Sequence, residues 1–377
     1  YSMPSSIANR WIKPENVESW EAGLEAIFLK NRFSLDLAFY NSSTTDQIIS
    51  AKTDPIIGAS SMRVNAGEIR NRGIEISAHI VPVRTHGFEW SMDVNWSRNW
   101  NKLVSYLDGW DPETPLQLAN NGTTIGNRVY IYSFVGEEMN WIYGKGYQRA
   151  PEGSFYTDEN GNQVDCSGQI LVNAKNGYPL LDQQANRRIG KVNPTWRGGM
   201  THRFSYKGFT LSASFTAQMG GHCYSVTNFA LGYLGKIKAT LPGRYDGLVV
   251  SGVNAVKNAD GTISYTKNTT VTENIQTYYG SYKYIRDNVE ENTFKTDFLK
   301  LKELRLDYAL PKNVLAKTRV LQNASLGVYA TNVFCITSWP QYDPEAGMLN
   351  GASITGGIEA MSFPMTRTYG VNIKLGF

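Results

Sequence analysis

The side chains in this sequence best suited to a chemical task are rings and amides in long stretches rich in glycine and asparagine, and the task they suit is recognition. Trp110, Tyr130, Tyr132, Trp141, Trp339 and Tyr342 stand in or beside such stretches, among Asn, Gln, Asp and Arg neighbours. Sugar rings stack their apolar faces on indole and phenol rings, and their hydroxyls need amide, carboxylate or guanidinium partners. These residues are therefore candidate substrate contacts. The alternative use of the same rings is packing of one loop on another, or contact with a partner protein.

A cation is the next possibility. Asp158-Glu159-Asn160-Gly161-Asn162-Gln163-Val164-Asp165 gathers the oxygen ligands Asp158, Asn160, Asn162 and Asp165 in one segment. A calcium loop of the EF-hand kind carries glycine sixth and glutamate twelfth. Here Gly161 is fourth and Gln169 twelfth, so a hairpin turn at Asn160-Gly161 is favoured over a metal site.

Bond-making chemistry finds little support. H-E-x-x-H, G-x-S-x-G and Walker motifs are absent, and Gly144-Lys145-Gly146 lacks the third glycine of a dinucleotide loop. The histidines His79, His86, His202 and His222 include no i, i+4 pair. Glu137-Glu138 and Glu290-Glu291 are sequence neighbours, which point opposite ways in extended chain and form no catalytic dyad. Cys166, Cys223 and Cys335 are widely separated and suggest neither a zinc site nor a disulfide framework. The expectation is a protein that is not an enzyme and needs no cofactor.

Composition narrows the class further. With 377 residues, 41% of them hydrophobic and 19% charged, the chain has the apolar material of a folded protein. A net charge of +4, with no run of five like charges, argues against nucleic acid as a partner. No apolar stretch reaches the ~18 residues of a spanning helix, which leaves a membrane β-barrel open.

The elements that must position the candidate residues are strands. Phe33, Leu35, Leu37 and Phe39 alternate with Ser34 and Asp36; Trp90, Met92, Val94 and Trp96 alternate with Ser91, Asp93 and Asn95. Phe209, Leu211, Ala213 and Phe215 repeat the pattern, as do 22–28, 74–80, 304–310, 324–330 and the closing Tyr369, Val371, Ile373, Leu375 and Phe377. No helical stripe competes. The connections alternate: 29–32, 81–87, 206–208 and 311–318 are short, whereas 42–65, 105–127, 150–193, 220–293 and 333–364 are long. With 129–134 and 140–147 as one more, weakly written hairpin, the count is about eleven strands.

Two architectures share such strands. A soluble sandwich, for example a secreted carbohydrate-binding module, turns its apolar face into a core with connections of similar length at both ends. An outer-membrane barrel turns that face to lipid, with short turns at one end and long loops at the other, and the loop asymmetry favours it.

The stretches Ile12-Lys13-Pro14-Glu15-Asn16-Val17-Glu18-Ser19-Trp20-Glu21-Ala22-Gly23-Leu24 and Asn65-Ala66-Gly67-Glu68-Ile69-Arg70-Asn71-Arg72-Gly73-Ile74-Glu75 resemble the barrel of TonB-dependent outer-membrane transporters. Phe298 to Pro311, Tyr329-Ala330-Thr331-Asn332-Val333-Phe334, Tyr342-Asp343-Pro344-Glu345 and Phe363 to Gly370 are similar to the SusC/RagA branch, in matching order along the chain. The resemblance implies an all-β fold in which residues 1–377 form the C-terminal half of a 22-stranded antiparallel barrel. It implies a SusD-like lipoprotein partner, TonB engaged through a part of the family's chain not seen here, outer-membrane lipid around the wall, and an oligosaccharide or peptide cargo. The odd strand count leaves two edges unpaired, so a signal peptide, a plug and about eleven further strands are expected upstream of Tyr1. Phe377, an aromatic ending the last strand, resembles the signal read by outer-membrane assembly machinery, or else serves as the last ring of an interfacial girdle.

Overall fold

In the computed structural model the described residues are 6–7, 9–52, 56, 58–59, 61–116, 128–183, 187–318, 320–345, 356–359, 361 and 363–377. Parts of the long connections, including 117–127 and 346–355, lie outside them. Nine strands form one antiparallel sheet in sequence order: β1 Asn16–Phe28, β2 Phe33–Thr45, β3 Glu68–Thr85, β4 Phe88–Ser105, β5 Trp196–Tyr206, β6 Phe209–Met219, β7 Phe298–Ala309, β8 Asn323–Thr337 and β9 Thr368–Gly376. Each next-neighbour pair in the chain is a next-neighbour pair in the sheet, so the wall is a simple meander.

The register explains why these residues form these strands. Directly paired residues share a face, and one row reads Leu24, Leu37, Ile76, Trp96, Gly198, Ala217, Leu299, Ile336 across eight strands. The next outward row but one reads Phe28, Phe33, Ile80, Met92, His202, Ala213, Leu304, Ala330, Tyr369. The other face carries Glu25, Asp36 and Ser77 in one row and His79, Asp93, Thr201, Ser214 and Glu303 in another. Slipping any strand by one residue would exchange the two faces, so the alternation fixes the pairing. Among the described residues no second sheet covers the apolar face: Leu306 is 42%, Val371 65% and Ile373 67% exposed. A sandwich would bury these side chains.

The short connections sit at one end. Lys207 and Gly208 both take positive φ (45° and 91°), the geometry of a two-residue hairpin whose twist matches its strands. A side chain at Gly208 would meet the Ala309 carbonyl at 2.9 Å. The long connections gather at the opposite end as a folded layer. Their segments Tyr130–Tyr132, Trp141–Gly144 and Arg187–Lys191 form a small sheet of their own, and His222–Ser225 is flanked by Thr293–Lys295 and Ile358–Glu359 in another.

Two expectations need correction. The weakly written hairpin at 129–134 and 140–147 does form, but it joins the small sheet instead of the wall, which among the described residues has nine strands against the expected eleven or so. Its apolar residues Ile131 and Ile142 are directly paired and fully buried against Val129, Val192, Tyr224, Val289 and Ile358, so they serve a water-excluding core and not a lipid surface. A helix, Val226–Tyr233, also lies in the loop layer, started by Ser225, whose Oγ accepts from the Asn228 amide. Among the described residues no helix is long and apolar enough to cross a membrane.

Candidate functional site

The small sheet brings three of the six candidate rings together. Tyr130 pairs with Tyr143 and Tyr132 with Trp141, so these four share the face opposite Ile131 and Ile142. Tyr130 and Tyr132 stack at 5.4 Å, Tyr132 meets Tyr143 at 5.2 Å, and Phe134 meets Tyr143 at 5.7 Å. Arg188, one strand over, lays its guanidinium 4.5 Å above Trp141. It donates to the Tyr143 hydroxyl (2.8 Å) and to a Glu137 carboxylate oxygen (2.6 Å). Burial alone would ease a proton from Arg188, but these two bonds outweigh it and hold the guanidinium above its ordinary pKa. The result is a half-buried platform of rings edged by a fixed cation and anion, an arrangement that stacks ring faces and addresses hydroxyls.

The platform runs into a cleft. Residues 138–140, just before Trp141, lie over the polar face of β3 and β4 and enclose about 480 Å³ lined by Asn71, Asn99, Asn101, Asn140, Asn193 and Trp196, among others. Asn71 Oδ1 accepts from the amide groups of Asn101 (2.8 Å) and Asn99 (3.4 Å). Asn101 Oδ1 and Asn140 Oδ1 are buried without a hydrogen-bond partner. An unpartnered buried carbonyl costs about 1–3 kcal/mol, so each is poised to accept from a donor that enters the cleft. The charges at the cleft pair with their own neighbours: Lys191 with Glu138 at 2.6 Å, and Arg197 Nε with Gln218 Oε1 at 2.9 Å.

The other expected site residues lie apart from this platform. Trp110 packs edge-on against Tyr106 at 4.8 Å and donates to the Thr114 carbonyl. Trp339 is buried and edge-on to Phe294. Tyr342 is exposed, but the following Asp343 and Glu345 reach the buried Nζ of Lys300 in β7, at 2.6 Å for Asp343. That triad ties its loop to the wall. Phe377 follows the last strand and is 73% exposed.

The segment 158–165 closes a hairpin between Phe155–Thr157 and Gln163–Asp165. Asp158 Oδ1 accepts from the amides of Asn160 (3.0 Å) and Asn162 (2.8 Å), and Asp165 Oδ1 accepts from the Ser167 amide (2.8 Å). The Asn162 amide holds the Asp158 carboxyl below its usual range, and Ser167 does so for Asp165. The carboxylates of Asp158 and Asp165 are thus engaged in turning the chain, and among the described residues no group of three or more His, Cys, Asp or Glu gathers to hold a metal.

Tyr143, Phe134, Arg188, Asn101 and Asn140 belong to the site but escaped the sequence reading. Alternation of Tyr130, Tyr132 and Phe134 was a usable signal. Arg188 reaches the platform only through strand pairing with a segment 45 residues away, which no local pattern announces.

Comparison with known proteins agrees with the fold. Residues 2–215, more than half of the chain, match the family model "TonB dependent receptor-like, beta-barrel". The chain is 27% identical to TonB-dependent receptor P3 of Formosa agariphila over 99% of its own length, and 24% identical to TonB-dependent receptor SusC of Bacteroides thetaiotaomicron over 98%. It spans about a third of the length of these relatives, 35% and 32%. Among solved structures, a chain of the RagAB peptide transporter superposes with a TM-score of 0.67 at 21% identity, covering 96% of this chain and 35% of that one. The uncovered apolar face, the one-ended loop layer and the family match converge: this chain belongs to the TonB-dependent receptor-like β-barrel family of the Gram-negative outer membrane.

Proposed function

We propose that the chain is part of the wall and outer loops of an outer-membrane importer, and that its cargo is an uncharged oligosaccharide. The observation that carries this is the continuity of the ring platform with the amide cleft through residues 138–141. The rings offer stacking surface, and the two unpartnered Asn carbonyls accept hydroxyl donors. A peptide would bring charged and apolar side chains. Lys191 and Glu138 pair with each other, Arg197 donates to the Gln218 amide, and the lining is dominated by amides and hydroxyls, which match a polyol better. The chain serves passage and carries no bond-making machinery, with the energy delivered through TonB.

A SusD-like surface lipoprotein is the proposed partner at the loop end. Tyr245 is 97%, Leu234 62% and Leu241 55% exposed in the connection between β6 and β7, apolar surface of the kind a partner covers. Deleting the hairpin tip around 258–262 should leave the lipoprotein bound, whereas replacing Tyr245, Leu234 and Leu241 by Ser should release it on co-purification. Retention by both would remove the docking surface.

The cargo is tested by calorimetry on the natural full-length protein with neutral oligosaccharides and with mixed peptides. Trp141→Ala should weaken oligosaccharide binding about tenfold or more, since a stacked ring is worth roughly 1–3 kcal/mol. Asn101→Leu should do the same through lost acceptance. Peptides bound as tightly, and weakened by the same two substitutions, would overturn the glycan reading.

A further inference from the structure

The apolar face of the wall is not apolar to its top. Asn41, Arg72 and Trp100 are paired in one row of that face, and Trp20 pairs with Asn41 at its end. One row further from the short turns lie Ser43, Arg70 and Lys102; one row nearer lie Phe39, Ile74 and Arg98. By parity these cations point the same way as Ile74, Ile76 and Ile80, towards the membrane. The pattern is local. At the loop end of the same face, the neighbouring strands present Trp196, Met219, Leu299 and Ile336.

Four basic groups, Arg70, Arg72, Arg98 and Lys102, thus cluster on the two adjacent strands β3 and β4, where the one carboxylate on that face, Glu68, pairs with Arg70 at 2.7 Å; Glu18 of β1 ends their row beyond Ser43. Among the described residues Arg72, Arg98 and Lys102 take part in no ion pair. Arg98 is held 4.5 Å over the Trp100 ring, and Arg72 Nε donates to Asn41 Oδ1 at 2.8 Å, so both guanidinium groups are fixed in place before any ligand arrives. Unpaired charge facing hydrocarbon is costly, but at the interface an arginine costs only about 0–1 kcal/mol, and there it meets lipid headgroups.

We infer that this outward patch on β2, β3 and β4 is a binding site for a phosphorylated lipid of the outer leaflet. Phosphate oxygens would accept from Arg72, Arg98 and Lys102, Trp20 and Trp100 would lie at the headgroup level, and the acyl chains would run along Leu37, Ile74, Ile76 and Trp96. Inorganic phosphate offers the same anion without the chains. The chains therefore decide which source the site is built for. The inference rests on the sheet being membrane wall, and not on the cargo.

The test uses the natural full-length protein, delipidated in neutral detergent, with native mass spectrometry as the readout. The probes are a diphosphorylated acyl-disaccharide lipid, the same lipid stripped of phosphate, and inorganic phosphate. Wild-type protein should retain the phosphorylated lipid at least tenfold better than the stripped one, and millimolar inorganic phosphate should not displace it. The triple variant Arg72→Gln, Arg98→Gln, Lys102→Gln should lose about a hundredfold in retention. Arg72→Lys with Arg98→Lys should keep most of it. Heat-modifiable gel migration reports folding of each variant independently. Equal retention of both lipids, or unchanged retention by a folded triple variant, would overturn the site. Displacement by inorganic phosphate would overturn its assignment to lipid. Loss of heat-modifiable migration by the wild-type protein would instead strike at the barrel reading.

Discussion

In the wall, Leu304, Leu306, Val371 and Ile373 are between 36% and 67% exposed; in the loop layer, Val129, Ile142, Tyr224 and Val289 are at 0%. The same kinds of side chain therefore do opposite work in the two regions. In the wall they face a solvent that is itself apolar, so their alternation sets the register and the bilayer depth and adds no water-excluding core. In the loop layer they build clusters from residues far apart in sequence, such as Val129, Tyr224 and Ile358, as a soluble domain would. The part of a barrel that looks like connection is the part packed like a globular protein, and it holds the rings of the site and Asn140 over the Asn71, Asn99 and Asn101 amides of the wall.

The largest effect that separates the two regions is expected at Lys300. Its Nζ is buried between Asp343 and Glu345 and links β7 to the last long loop. Lys300→Ala strands a buried carboxylate, at a cost of about 3–5 kcal/mol, while leaving every wall hydrogen bond in place. Amide exchange of residues 338–345 should rise sharply, with heat-modifiable migration of the wall retained. The neutral triple variant Lys300→Met, Asp343→Asn, Glu345→Gln should recover most of the protection. An unprotected wall in the single variant would show that the two regions are one cooperative unit.

Lipid as the wall's solvent is sharpened by a pair of arginine substitutions. Leu304 lies on the outward face between Tyr308 and Leu299, and Ser214 lies on the inward face, paired with Glu303. Leu304→Arg should cost about 2–4 kcal/mol in a bilayer, and Ser214→Arg less than about 1 kcal/mol. Urea unfolding from liposomes measures both. Equal costs would mean that the two faces meet the same medium.

How far this contrast could be read in advance follows from the same physics. Every strand of the wall announces itself, because alternation is a property of consecutive residues, and it persists on either side of the register shifts at Ile80/Val83, Ser214/Phe215 and Leu301/Glu303. Phe33 to Phe39 and Trp90 to Trp96 are unmistakable. The hairpin carrying Ile131 and Ile142 obeys the same alternation, so nothing local distinguishes a strand facing lipid from one facing Tyr224 and Val289. Trp141 was legible as a ring beside amides. Its pairing with Arg188, and the unpartnered carbonyls of Asn101 and Asn140, exist only once distant segments are assembled. The helix Val226–Tyr233 had one faint signal, Ser225 as its cap, and depends on Glu359 from another loop for support.

That support gives a smaller effect confined to the loop layer. Ser225 Oγ accepts from the Asn228 amide at 3.0 Å and donates to buried Glu359 at 2.7 Å, while Thr227 also donates to Glu359. Ser225→Ala should cost about 1–2 kcal/mol. Exchange should quicken in 226–233 and 356–359 and stay unchanged in β6 and β7. Equal quickening in the strands would erase the boundary drawn between layer and wall.

The smallest effect is a response to acid that only the loop layer should show. His222 stands over Gly190, where an added Cβ would meet its ring at 2.3 Å, and its Nδ1 is buried without a partner. Burial pushes its pKa below the ordinary 6.5; a backbone hydrogen bond with Lys191 opposes this, Lys295 adds to it and Asp297 opposes it. The folded layer therefore disfavours the imidazolium, and the unfolded form binds the proton more readily. Stability is full above the ordinary pKa and falls as pH drops through it, because protonation there favours the opened state. Between pH 7.5 and 5.5, exchange of 187–191, 222–225 and 293–295, corrected for the intrinsic pH dependence, should quicken relative to the wall strands. His222→Gln should flatten that difference. If His222→Gln leaves the pH response of these segments unchanged, the imidazole is not its source, and if wild-type protein shows no response at all, the ring's burial carries no cost that acid can reveal.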